Sequence, residues 1–259
     1  MNNLCVAHRG ASGQAPENTM AAIRAALAYT FVQWIEVDVQ QSREGIPVLL
    51  HDDTVNRTTN GKGKVADLTL EELKRLDAGR WFGRSFTGEP IPTLDDVLAA
   101  TVGRCRLNLE LKTYNGRYPC LENNVVNLLY KWRLQHDAVI TSFDASALRK
   151  VRQLSPDIRT GLIIDAAPST LLDSLRELDA RFLSIGYRHL TPSRMTAFRQ
   201  AGVQVMGWTV NDAASIRKLA AMHSELMICT NYPERWQEAM TGVEPARQGR
   251  LPFQHRRKS

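Results

Sequence analysis

Leu4-Cys5-Val6-Ala7-His8-Arg9-Gly10 is an apolar run that stops abruptly at an imidazole, a guanidinium and a glycine. The run suits a buried strand, and the break suits a strand end feeding a loop that carries chemistry. Pro16-Glu17-Asn18-Thr19 comes next, then Met20-Ala21-Ala22-Ile23-Arg24-Ala25-Ala26-Leu27. Asn18 or Thr19 can cap that helix, because a short side-chain oxygen accepts from its first N–H groups. The first unit is therefore strand, polar loop, helix.

The same unit recurs along the chain. Val32 to Gln40 reads as a second strand, with Ile35, Val37 and Val39 on one face and Glu36 and Asp38 on the other. Pro47-Val48-Leu49-Leu50 is a short apolar run ending in His51-Asp52. Residues 53–92 are polar and turn-rich, with one helix expected at Leu70 to Leu76 and an aromatic pair, Trp81-Phe82. They read as an insertion, followed by a helix from Thr93 or Asp95 through Ala100. Arg106 to Lys112 is the third strand, with Leu107, Leu109 and Leu111 opposite Asn108, Glu110 and Lys112. A helix is expected at Leu121 to Leu134. Further strands are expected at Ala138–Thr141, Thr160–Ile164, Phe182–Ile185, Val203–Trp208 and Leu226–Cys229. Helices alternate with them at Ala145–Leu154, Ser169–Leu178, Pro192–Gln200, Ala213–Ala221 and Pro233–Met240.

Repeated strand–helix units mean parallel strands joined by right-handed crossovers. Eight of them close into a TIM (β/α)8 barrel, and a doubly wound open sheet is the competing architecture. Polar residues at several strand ends favour the barrel, which gathers them on one face. No glycine-rich phosphate loop follows the first strand, which argues against a dinucleotide fold. The expected organisation is one α/β barrel over residues 1–241, with 53–92 inserted after the second strand, and a basic tail at 242–259.

Composition is that of an ordinary globular chain: 259 residues, 43% hydrophobic and 23% charged. No apolar run approaches the roughly 18 residues a membrane span requires. No basic segment followed by a long apolar one marks a secretory signal. Cys5, Cys105, Cys120 and Cys229 have neither zinc-site nor redox-motif spacing. Reduced core thiols and a cytoplasmic address follow. The net charge of +6 sits mostly in the tail, where Arg247, Arg250, Arg256, Arg257 and Lys258 face only Glu244. The remainder is nearly balanced, so no nucleic-acid partner is expected of the body.

In a barrel, the polar strand ends would meet at the mouth. Glu36, Asp38 and Glu110 would then repel one another and raise their own pKa values. A hard divalent cation, Mg²⁺ or Ca²⁺, resolves that repulsion better than Zn²⁺ does; ion pairing with Lys112 and Arg9 is the alternative. His8 and His51 are a plausible acid–base pair, since imidazole titrates near neutral pH. Arg9, with its planar fork, and Lys112, as a point charge, suit a phosphate. Asp52 either orients a histidine or caps a turn. Trp208 either walls the cleft or packs in the core. His136, His189, His223 and His255 have no comparable context.

At these residues the chain resembles the glycerophosphodiester phosphodiesterase family, within the phosphatidylinositol-phospholipase-C-like barrel superfamily. The resemblance runs from Leu4 to about Met240. It rests on His8-Arg9-Gly10, Pro16-Glu17-Asn18-Thr19, Glu36-Val37-Asp38, His51-Asp52, Arg57-Thr58-Thr59-Asn60-Gly61, Ile91-Pro92-Thr93-Leu94, Glu110-Leu111-Lys112, Trp208-Thr209-Val210-Asn211 and Thr230-Asn231-Tyr232-Pro233. It implies a TIM barrel that splits a small-molecule glycerophosphodiester into glycerol 3-phosphate and an alcohol, aided by a divalent cation and passing through a cyclic phosphate. It implies His8 and His51 as acid and base, Arg9 as phosphate ligand, Glu36, Asp38 and Glu110 as metal ligands, and Lys112 near the phosphate. One departure is Glu225-Leu226, where the family often has Asp-Gly before the last strand. Two other readings stay open: a lysophospholipase-D-like enzyme acting on lipids, for which Trp81-Phe82 would be the apolar rim, and a non-catalytic phosphoester-binding barrel.

Overall fold

The computed structural model describes residues 3–113 and 116–242, so the basic stretch beyond Gly242 lies outside the described residues. The strands are β1 (Cys5–His8), β2 (Val32–Gln41), β3 (Pro47–Leu49), β4 (Arg106–Leu111), β5 (Ala138–Ser142), β6 (Arg159–Ile164), β7 (Phe182–Gly186), β8 (Gln204–Trp208) and β9 (Met227–Thr230). All but β3 run parallel, in the order β1-β9-β8-β7-β6-β5-β4-β2, and β1 pairs again with β2 to close the ring. An open doubly wound sheet would leave two edges. Here β1 is bonded on both sides, so the sheet is a TIM barrel.

The helices are α1 (Met20–Leu27), α2 (Leu70–Lys74), α3 (Leu94–Thr101), α4 (Leu121–Lys131), α5 (Ala145–Leu154), α6 (Leu171–Glu177), α7 (Pro192–Gln200), α8 (Ala213–Met222) and α9 (Pro233–Thr241). The two-residue period of each strand sorts side chains between two layers. Ile35, Val37 and Val39 of β2 and Leu107, Leu109 and Leu111 of β4 join Ile23 of α1, Leu98 of α3 and Val125 of α4 in the layer between sheet and helices. The opposite face of β2 turns Trp34 into the barrel. There it packs with Val6, Val139, Phe182, Met206, Met227 and Cys229 to fill the floor. Two and four residues further on, the same face presents Glu36 and Asp38. Register then sets their neighbours: His8 lies opposite Glu36, Glu36 opposite Asn108, and Asp38 opposite Glu110.

The short apolar run at 47–50 is not a barrel strand. β3 pairs antiparallel with the end of β2, Val39 opposite Leu49 and Gln41 opposite Pro47. Residues 53–92 follow it and carry α2. Though mostly polar, they hold an apolar cluster of their own, in which Val55, Val65, Leu73, Ala78 and Ile91 pack with Val48 and Leu50.

Helix ends depart from expectation by a few residues. The helix expected through Leu134 stops at Lys131, because Arg133 takes φ +57° and breaks the hydrogen-bond ladder. The helix expected through Leu76 stops at Lys74. Thr19, not Asn18, caps α1, its hydroxyl accepting from Ala22 N–H at 3.3 Å. Asn18 has a different role at the barrel mouth.

Candidate active site

His8, Arg9, Glu36, His51, Glu110, Lys112, Phe143 and Trp208 line a cleft of about 240 Å³ at the C-terminal ends of the strands. Asp38 lies beneath its floor, fully buried. A larger hollow of about 500 Å³ at the other end of the barrel, beside Met195, Val205 and His223, gathers no such cluster. Its histidine is engaged locally, Nδ1 accepting from Glu225 N–H at 3.2 Å.

The backbone that brings His8 and Arg9 to the mouth is strained. Arg9 and Gly10 adopt φ +56° and +79° in succession, a region costly to a residue with a Cβ. At Gly10 a Cβ would lie 2.6 Å from the backbone of Ala22, so α1 could not pack where it does. The turn leaves Arg9 N–H donating to Glu36 Oε2 at 3.0 Å.

Glu36, Asp38 and Glu110 each offer a carboxylate oxygen within 4.8 Å of the others. Asn18 holds Asp38 from behind, donating from Nδ2 to Oδ2 at 2.8 Å and accepting from Asp38 N–H at 3.1 Å. Arg9 Nε lies 3.0 Å from the same Oδ2, and Lys112 Nζ lies 3.1 Å from Oδ1 while also touching Glu110. These cations, working against burial, keep the Asp38 carboxyl well below the usual range. The glutamates go the other way. Burial, then the Asp38 charge, pushes Glu110 up to about 7 and Glu36 well above its ordinary value. Glu36 Oε1 is buried without a hydrogen-bond partner among the described residues. Buried negative charge in excess of its counter-charge, with one oxygen orphaned, fits a hard divalent cation.

The two histidines are held alike. His8 Nδ1 meets Asn231 Oδ1 at 2.6 Å, so that nitrogen carries the proton and Nε2 is the acceptor. Nε2 lies 3.8 Å from Glu36 Oε2. Burial, then the Arg9 charge, lowers His8 to about 4. His51 Nδ1 meets Asp52 Oδ1 at 2.7 Å, and burial lowers this imidazole too. Asp52 therefore orients a histidine. The loop that carries both is fixed from the barrel by Gln40, which donates to the carbonyls of Leu50 and Asp52 at 2.7 and 2.5 Å.

A guanidinium from the insertion completes the mouth. Arg57 donates from Nε and Nη2 to the two oxygens of Asp52 at 2.7 and 3.0 Å. It donates from Nη1 and Nη2 to the two oxygens of Glu17 at 3.0 and 2.8 Å. Glu17 in turn accepts from Arg9 Nη1 at 2.8 Å. The charged side of the cleft faces an apolar one, where the Phe143 and Trp208 rings meet edge-on at 6.2 Å. Phe143 is half exposed. Trp81 and Phe82 do not line the cleft. They pack edge-on with each other, Phe82 against Phe86, and Trp81 Nε1 donates to Ala78 O at 2.9 Å.

His8, Arg9, Glu36, His51, Glu110, Lys112 and Trp208, singled out from sequence, thus line the cleft with Asp38 beneath them, whereas Trp81 and Phe82 do not. Of the supporting partners, Asn18 reads from sequence as a candidate helix cap, Gln40 as the end of a strand, and Arg57 and Asn231 as parts of the motifs that carry the family resemblance; the contacts they make are not legible there. Asn231 directly follows β9, and that placement was the one local signal of its part.

Residues 8–235 match the model of the glycerophosphoryl diester phosphodiesterase family. A glycerophosphodiester phosphodiesterase of Caldanaerobacter subterraneus is 35% identical over 220 residues, covering 85% of this chain and 90% of the relative. One of Bacillus subtilis is 32% identical over 257 residues, covering 92% of this chain and 87% of the relative. Among solved structures, a phosphodiesterase of Oleispira antarctica in complex with the product sn-glycerol-3-phosphate superposes with a TM-score of 0.84 at 34% identity, covering 92% of this chain and 96% of the other.

Proposed function

This chain belongs to the glycerophosphoryl diester phosphodiesterase family, and from that premise we propose that it cleaves glycerophosphodiesters to glycerol 3-phosphate and an alcohol by cation-assisted acid–base catalysis. The observation that carries this reading is the meeting, in one cleft, of two oriented imidazoles with a buried trio of carboxylates. Glu36, Asp38 and Glu110 would hold the cation. Bound there, Mg²⁺ or Ca²⁺ supplies charge neutralisation at the phosphoryl oxygens. Arg9 and Lys112 add fixed positive charge at the same place and orient the phosphate. Trp208, with Phe143, offers the carbon skeleton an apolar wall.

His8, neutral at pH 7 with Nε2 as acceptor, takes the proton from the glycerol 2-hydroxyl. The 2-oxygen attacks phosphorus, and His51, entering this half with a proton on Nε2 that the carboxylate of Asp52 behind it favours, gives that proton to the departing alcohol oxygen as the P–O bond breaks. The product of this half is a cyclic phosphate. His51 then deprotonates water, the water oxygen attacks phosphorus, the ring P–O bond to the 2-oxygen breaks, and His8 returns its proton to that oxygen. Internal attack suits such a site because the hydroxyl is already tethered beside phosphorus, an advantage of roughly 7–11 kcal/mol in well-oriented cases.

Among the described residues no helix is long and apolar enough to cross a membrane. The free cysteines support the cytoplasm as the proposed address.

The test is release of glycerol 3-phosphate from glycerophosphocholine by the purified protein before and after exhaustive chelation. We expect activity to vanish on chelation and to return with Mg²⁺ or Ca²⁺. The 2-deoxy analogue should bind but turn over far more slowly, and the cyclic 1,2-phosphate of glycerol should be opened. Full activity in demonstrably metal-free protein would remove the cation from the reaction. A deoxy analogue cleaved as fast as the parent would mean direct attack by water.

A further inference from the structure

Arg57 lies in the insertion at 53–92, outside the cleft wall, yet it is bonded to both halves of the catalytic apparatus. Its two forks close on two carboxylates at once, in four hydrogen bonds of 2.7–3.0 Å. One carboxylate, Asp52, accepts from Nδ1 of His51. The other, Glu17, accepts from Arg9. A continuous charge-assisted chain therefore runs from His51 through Asp52, Arg57 and Glu17 to Arg9. It joins the loop after β3 to the loop after β1.

We infer that Arg57 is a positioning residue that sets His51 and Arg9 relative to one another, and that delivering it is the insertion's contribution to the reaction. The inference rests on the acid–base roles proposed above. The physical reason is geometric. A carboxylate held by one neighbour swings about its Cβ–Cγ bond; one gripped by a bidentate fork does not. Asp52 is partly exposed, with its side chain 31% accessible, so packing alone does not fix it. Both of its oxygens are gripped by Arg57, and the imidazole inherits that orientation through a 2.7 Å bond. Glu17 transmits the same constraint to the guanidinium of Arg9. The charges alternate along the chain, so Arg57 neutralises two anions whose charge would otherwise compete for His51 and Arg9. Lysine would supply the charge without the fork.

The test compares wild type, Arg57→Ala, Arg57→Lys and, as a control in the same insertion, Arg75→Ala, whose exposed side chain pairs with Glu71 and takes no part in this chain of contacts. Loss of a partner one step removed from a reacting group typically costs about 10–100-fold. We expect Arg57→Ala to lower kcat on glycerophosphocholine by that factor with KM changed less than about threefold. We expect millimolar guanidinium to restore part of the loss, Arg57→Lys to remain impaired, and Arg75→Ala to match wild type. Independently of turnover, the His51 Nδ1 proton should give a downfield NMR resonance in wild type that is lost or broadened in Arg57→Ala. Arg57→Ala that keeps wild-type kcat, or an unchanged His51 resonance in the folded variant, would overturn the inference. So would a loss that tracks unfolding and that guanidinium does not rescue. Wild type inactive on every glycerophosphodiester would instead overturn the proposed function, while the resonance would still decide the positioning role.

Discussion

At the scale of single residues, His8 is held by Asn231 and Asp38 by Asn18, each from a different stretch of the chain. His8, His51, Glu36, Asp38 and Glu110 announce themselves as polar residues where an apolar strand ends or alternates. Asn231 does not, because what it does depends on a contact 223 residues away in sequence. Asn18 or Thr19 reads as the cap of α1; Thr19 takes that place and Asn18 clamps Asp38, an outcome that the register of β1 beside β2 decides. We expect His8→Ala and His51→Ala each to lower kcat by at least about 10²-fold, the lower bound for a positioned acid or base. Asn231→Ala should cost less and leave KM nearly unchanged, since it removes the imidazole's orientation and not the imidazole. His136→Ala should be near wild type in the same assay. His51→Ala with most of its activity intact would end the acid–base pairing.

At the scale of elements, the strands were the legible part. The two-residue period in 32–40 and 106–112 separated a helix-facing stripe from a barrel-facing one, and packing follows it: Ile35 and Val37 lie in the layer beneath the helices and Trp34 in the barrel floor. Helix ends were less legible, because one left-handed residue such as Arg133 halts a helix whose apolar pattern continues. The part played by Trp34 was also hidden: on β2 it precedes the acids on the same face, and its indole becomes the plug of the barrel floor. Phe182 meets it at 6.3 Å, and the guanidinium groups of Arg106 and Arg159 lie 5.9 and 5.7 Å from its ring. Removing a buried indole typically costs about 3–5 kcal/mol. We expect Trp34→Ala to lose stability in that range by urea denaturation. A loss under about 1 kcal/mol would mean that the floor repacks around the gap.

At the scale of the whole molecule, we expect charge and catalysis to be separable. Most of the net charge of +6 comes from the last residues, outside the matched region and outside the described residues. A chain ending at Thr241 should therefore turn over glycerophosphocholine at the full-length rate while its pI falls. Altered turnover of this small substrate on truncation would tie the basic stretch to the reaction. Closure of the barrel has a consequence of another kind. β1 leaves the ribosome first, but its partner β9 is the last strand to emerge, since Cys5 pairs with Ile228. At about 5–20 residues per second, the first strand waits roughly 10–45 s with one edge open. For that interval the nascent chain exposes an unpaired apolar edge of the kind that invites mispairing. The imidazole of His8 on β1 waits equally long for its partner, because Asn231 lies just beyond β9. An unfinished chain thus lacks the closing strand and the partner of His8 together.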